Sequence, residues 1–353
     1  MRKRLTIAVV AVLVGVLVLG LAIGGLLWWR AQPSTDLQRA ASMAPSDAER
    51  LSWTDWSGIR RVFGTPLTAD SSVGQLERFL DRGYERDLTS TSALVQSAPV
   101  LQERYGFSPA TADWELFSQS GKGAVVMIHL PDDADFDEIG DDLARVGYTR
   151  PSSDTGVWRG GADLMNAIGP DLTPELQHVA LVPDEHLVLT SDNAAYLASS
   201  VDGLDGDGAS SDLTDVVDAS GSPLSASVYA GDYTCSALAM SQADQNDQDV
   251  ADELLADAGE VNPIKGFAMS VQTDRRVRVV MSFETDEQAR TNADTRATLA
   301  AGPAPGQGGD FRDRFSVDSV TADGRLVTMS LVPKEGQYVL SDLSTGPVLF
   351  ATC

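Results

Sequence analysis

The sequence predicts an α+β protein on a membrane anchor: one N-terminal transmembrane helix, then two related strand-helix-hairpin-helix units, the first preceded by a helix-rich section. Three observations carry this. Residues Leu5 to Trp29 include no charged side chain. The apolar period changes from helical to strand-like near Gly123, and the order strand, helix, hairpin, helix returns after residue 222.

The first four residues form a short tail carrying Arg2, Lys3 and Arg4. At about 1.5 Å per residue, 5–29 is long enough to cross a hydrocarbon core of about 30 Å. Only Arg30 follows closely, so the excess of positive charge puts the N-terminus in the cytoplasm and the remainder outside, with Trp28 and Trp29 at the outer interface. A cleaved signal peptide shares the basic start. Its apolar region is shorter, about 7–15 residues, and runs directly into a small-residue cleavage site, whereas here such sites lie near Ala40 to Ala44. An uncleaved anchor is the expectation.

Residues 30–45 read as a tether and 46–201 as a first extracytoplasmic domain. Ser46-Asp-Ala-Glu49 offers a capping box. Thr54 is a candidate N-cap for a helix through Ile59 and Val62 to Gly64. Val73, Leu76, Phe79, Leu80 and Tyr84 mark a second helix, and Leu94 to Tyr105 a third, interrupted by Pro99. Ala124 to Leu130 is an unbroken apolar strand, Phe136, Ile139, Leu143 and Val146 a helix stopped at Gly147. His178–Val182 and His186–Thr190 form a hairpin across Pro183-Asp184-Glu185, followed by a short helix capped by Asp192. Residues 202–222, rich in Asp, Gly and Ser, read as a linker.

The second domain, 223–353, repeats the order: a strand Arg276–Phe283, a helix Asp286–Ala301, a hairpin of Phe315–Val320 and Arg325–Val332, and a helix Glu335–Leu343. The two cysteines, Cys235 and Cys353, sit in an oxidising compartment on this reading and are expected to pair, fastening the C-terminus to the start of this domain.

Composition limits function. The chain has 51 acidic and 26 basic residues, a formal charge of −25, and such a surface repels nucleic acid. No cofactor motif is found. The histidines are His129, His178 and His186, with no His-x-His or His-Glu-x-x-His spacing, so no metal site is expected. The Asp202–Asp212 run misses the spacing of a twelve-residue calcium loop. There is no Gly-x-Ser-x-Gly elbow, and paired carboxylates such as Asp132/Asp133 and Asp141/Asp142 carry little information in so acidic a chain. The aromatics Trp53, Trp56 and Trp114, with Trp158, Tyr105 and Phe107, are either core or the lining of a ligand groove.

Leu-Ser-Trp-Thr-Asp-Trp at 51–56, Arg-Tyr-Gly-Phe-Ser-Pro-Ala-Thr-Ala-Asp-Trp-Glu at 104–115 and Gly-Tyr-Thr-Arg-Pro at 147–151 resemble segments of uncharacterised membrane-anchored proteins of actinobacteria. The resemblance covers mainly residues 46 to 200. It implies a cell-envelope location and no activity. The function expected is therefore non-catalytic binding of a protein partner or envelope component by a single-pass membrane protein. The alternatives are a carrier or sensor of an apolar ligand held by Trp53, Trp56 and Trp114, and an envelope hydrolase built on carboxylates.

Overall fold

A computed structural model describes residues 35–153 and 155–353. The tail, the 5–29 segment and the start of the tether lie outside the described residues. Among those described, no helix is long and apolar enough to cross a membrane.

Eleven strands build one sheet: β1 (Arg50–Thr54), β2 (Trp114–Ser120), β3 (Gly123–His129), β4 (Val157–Arg159), β5 (His178–Val182), β6 (Leu187–Ser191), β7 (Ser225–Ala230), β8 (Gly266–Val271), β9 (Val277–Ser282), β10 (Phe315–Asp323) and β11 (Leu326–Pro333). Their order is β10-β11-β9-β8-β7-β1-β2-β3-β6-β5-β4, and every neighbouring pair is antiparallel. The α+β class therefore holds, as one continuous sheet. Strands β1 and β7 meet at its centre, with Ser52 opposite Ser227. Outward from that pair the order is β1-β2-β3-β6-β5 on one side and β7-β8-β9-β11-β10 on the other, with β4 extending the first.

Both faces of the sheet are covered, which explains the unbroken apolar run in β3. Val125 and Met127 join a core on one face, while Val126 and Ile128 join the larger core on the other. Alternate side chains of a strand point to opposite sides, so a strand buried twice loses its polar alternation.

Two segments expected to be connectors are part of the smaller core. The tether contains a helix, Asp36–Met43, that buries Leu37, Ala40 and Ala41. The linker contains another, Ser211–Ser220, burying Leu213, Val216, Val217 and Ser220. That spacing is a helical stripe, and it packs over β7, β8 and β9 and against the Asp36–Met43 helix. Residues 202–222 thus do not separate two sheets; the whole of Asp36–Cys353 is one compact unit.

Local signals otherwise resolve well. Asp135 caps the helix Phe136–Val146 by accepting from Asp137 and Glu138 N–H, and Gly147, at φ 116°, ends it. The first helix after β1 spans Trp56–Phe63 with Asp55 as its N-cap in place of Thr54. Ser46–Glu49 is a turn leading into β1, with no helix after it. Asn193 instead of Asp192 caps Ala194–Asp202. Pro99 lies in the first turn of Ala98–Arg104, where its missing N–H costs nothing.

Cys235 and Cys353 are disulfide-bonded, their Cα atoms 5.4 Å apart. The bond pins the C-terminus to the short helix Gly231–Ala237 that follows β7.

Candidate functional site

Trp53, Trp56 and Trp114 are packing residues. Trp53 and Trp114 lie on one face of β1 and β2 with ring centroids 5.4 Å apart, and the Trp53 indole donates to Pro223 O at 3.0 Å. Trp56 lies in the opposite core, 6.2 Å from the Phe79 ring. All three are at most 2% exposed, and none lines the grooves described below. The structure thus brings Trp53 and Trp114 together and puts Trp56 across the sheet from both.

Two histidines do approach each other. His129 and His186 have ring centroids 6.0 Å apart, His129 Nδ1 is 3.3 Å from Asp113 and its ring stacks on Trp114. His178 faces Ser191 across the hairpin. Among the described residues no three His, Cys, Asp or Glu side chains form a metal-binding group.

Among the described residues, burial is the chief cause holding the carboxyl groups of Asp55, Asp87 and Glu115 above their ordinary range. Each is engaged in holding the fold. Asp55 caps the Trp56–Phe63 helix, accepting from Gly58 N–H at 2.7 Å. Asp87, at φ 59°, accepts from Leu340 N, Ser341 N and Ser341 Oγ at 2.6, 3.0 and 2.6 Å. It so caps the Val339–Leu343 helix from the other end of the chain, satisfying N–H groups that have no partner within the helix.

Glu115 is 1% exposed. It accepts from Ser92 Oγ, Ala93 N and Trp56 Nε1 at 2.7, 2.6 and 3.1 Å. Desolvation outweighs these bonds and pushes the carboxyl up to about 7 from 4.5. A raised folded-state value favours the protonated form, so this contribution to stability is complete below the unfolded value and lost as pH rises through about 7. At about 1.4 kcal/mol per pH unit, the decline is on the order of 3 kcal/mol. Urea unfolding across this range is expected to show a flatter pH profile for Glu115→Gln, with the residual slope due to Asp55 and Asp87. Equal slopes in the two proteins would remove Glu115 as the cause.

One groove, about 660 Å³, lies where three distant segments meet. Glu85 and Arg86 follow the helix Val73–Tyr84; Asp274, Arg275 and Arg276 form the β8–β9 turn; Val332, Pro333, Glu335 and Gly336 leave β11. A recess of about 40 Å³ adjoins it, lined by Arg86, Arg275 and Lys334 with Glu85 and Asp87. Beside these segments the rings of Tyr84 and Tyr338 stand 5.4 Å apart, and Tyr84 is 60% exposed.

The cations of this groove differ in what they do. Arg276 is committed, reaching Asp318 at 2.5 Å and Asp274 at 3.4 Å. Among the described residues Arg86, Arg275 and Lys334 form no salt bridge. Arg275 sits at φ 69°, a left-handed conformation that favours Gly or Asn. Its N–H donates to Gln272 O at 2.9 Å, closing the turn. Sequence reasoning missed this groove because its residues are dispersed along the chain and the composition points to acid. The one signal was Asp274-Arg275-Arg276 between two strand-like runs.

A second groove, about 560 Å³, carries Glu103, Asp133, Asp135, Glu138 and Asp142 beside Arg60. The Arg60 guanidinium is occupied by the carbonyls of Pro109 and Ala112 at 2.9 and 2.7 Å.

The sequence matches no family model and no curated protein. Among solved structures it is similar to crystal forms I and IV of TP0453. These align over 89% and 90% of this chain and 98% and 99% of theirs, at 7% and 8% identity, each with a TM-score of 0.42.

Proposed function

We propose that the chain is a membrane-tethered, non-catalytic binding protein of the cell envelope, whose outer body engages an envelope component at the 660 Å³ groove. The observation that carries this reading is the meeting of Arg86, Arg275 and Lys334, with Glu85 and Asp87, in the recess that adjoins this groove, in a chain of net charge −25. The groove is of ordinary ligand-site size, about 300–1,000 Å³. The charge-free segment 5–29 supports the tether, and the resemblance of residues 46–200 to membrane-anchored actinobacterial proteins supports the location.

The same reading treats the two halves as products of a duplication. The first begins helix, strand, helix at 36, 50 and 56; the second begins the same elements at 211, 225 and 231, a constant offset of 175. The mirrored strand order about β1 and β7 supports it further. The groove then belongs to the joined molecule, since Arg86 comes from one half and Arg275 and Lys334 from the other.

A carrier of apolar ligands is less well supported, because the large aromatics fill the two cores. A photo-reactive residue at Val332, on the groove wall, tests the reading in the full chain in its own membrane. Adducts are expected from Val332 and not from Val250, which is 44% exposed and lines none of the described grooves. Equal yields at both positions would count against it.

A further inference from the structure

We propose that the recess between Arg86, Arg275 and Lys334 binds the phosphate group of a phosphorylated envelope component, with the rest of that molecule lying in the adjoining groove. This rests on the reading above and names the chemistry of its ligand.

Basic residues are outnumbered about two to one in this chain, so a cation on its surface has carboxylates in easy reach. Arg39, Arg145, Arg150, Arg312, Arg314 and Arg325 each take one. The three recess cations come from three separate segments and, among the described residues, take none, a state they share with other exposed cations such as Arg61, Arg78 and Arg104, and the Lys334 charge also acts on Asp310. Two carboxylates also line the recess. Both oxygens of Asp87 already accept from Leu340 and Ser341, which leaves Glu85 as the lining acid without such bonds.

Size and donor geometry then select the ligand group. A recess of about 40 Å³ admits a compact head and excludes a sugar ring or an aromatic. Two guanidinium forks and an ammonium present more donors than the two oxygens of one carboxylate accept, whereas a phosphate ester offers three or four acceptors and up to two charges. Val332, Pro333 and the ring pair Tyr84 and Tyr338 supply apolar surface for what is attached to it. A lipid headgroup and a soluble phosphorylated glycan share this chemistry.

Arg275 provides a clean variant. Its φ of 69° suits glycine, so Arg275→Gly removes the cation while relieving the turn, and its unfolding temperature is expected to be unchanged or raised. Lys334→Gln, at an exposed position, is the second variant.

The full chain in phosphatidylcholine nanodiscs would be titrated calorimetrically with glycerol phosphate, with short-chain phosphatidylglycerol, and with glycerol and malonate as neutral and dicarboxylate controls. Binding of at least one phosphorylated probe is expected, weakened by about tenfold or more in each variant and by added salt. Tighter binding of phosphatidylglycerol points to a headgroup, and equal binding to a soluble phosphate ester. The proposal is overturned if neither phosphorylated probe binds, if both variants bind as the wild type does, or if malonate binds as tightly. Adducts at Val332 alongside any of those results would leave the groove as a binding site and remove only the phosphate assignment.

Discussion

Replacing Cys235 and Cys353 together by serine is expected to lower the stability of the protein by about 5 kcal/mol, the chain-entropy value for closing a loop of about 118 residues. The bond ties the last residue of the chain to the element after the central strand β7. Without it, the segment Val348–Thr352 is held only by packing and hydrogen bonds. Those are substantial: Val348, Leu349, Phe350 and Ala351 are at most 1% exposed. Reduced protein is therefore expected to remain folded with a lower unfolding temperature, as scanning calorimetry with and without reductant would read. A loss below about 1 kcal/mol would mean that the segment is already fixed in the unfolded ensemble or needs no covalent help.

Arg296→Met is expected to cost about 3–5 kcal/mol. This guanidinium is fully buried and, among the described residues, has no carboxylate partner. It donates to the carbonyls of Phe350, Thr352 and Asn262 at 2.9, 2.6 and 2.7 Å, and to Asn292 Oδ1 at 3.2 Å. Desolvation holds it well below its ordinary value, at about 9. Methionine fills much of the volume but leaves three buried carbonyls without a donor, at about 1–3 kcal/mol each. Lysine is expected to rescue little, since one ammonium cannot span the three acceptors as the planar fork does. Urea unfolding measures both variants. Arg296 and the disulfide hold the same segment, so the combined variant is expected to fall short of the sum of the two losses. Strict additivity would show that they act on separate parts of the molecule.

These two contacts show where sequence reading succeeds. The disulfide was legible because the sequence has only two cysteines. The helix Asp286–Ala300 was legible from its length, but not the role of Arg296 within it, because its partners are backbone carbonyls and carry no sequence signature. The outer hairpins β5–β6 and β10–β11 and the helix ending at Gly147 were readable from turn residues and period. The strands at the centre of the sheet were not. β7 carries Ser225, Ala226 and Ser227, and β8 begins at Gly266, where an added Cβ would come within 2.0 Å of Asp212 O. Small residues are needed there because the Ser211–Ser220 helix crosses closely, and small residues have little strand signal. β1 was hidden for a related reason: Ser52 and Thr54 are buried between β2 and β7, yet Thr54 reads locally as an N-cap.

The linker shows a different failure. Its Asp, Gly and Ser content was real, but the stripe Leu213, Val216, Val217 outweighed it once a sheet face needed covering. The groove was illegible for want of proximity in sequence: Arg86, Arg275 and Lys334 come from distant segments and meet only in the folded chain.

A native mass spectrum of the full chain, purified from its own host with bound lipids and glycans retained, reads directly whether the groove holds a ligand. An added mass of defined size is expected on the oxidised protein, lost in Arg275→Gly with the charge-state envelope of the folded chain unchanged. A bare chain in the wild type, or an adduct that Arg275→Gly retains, would contradict ligand binding at this groove.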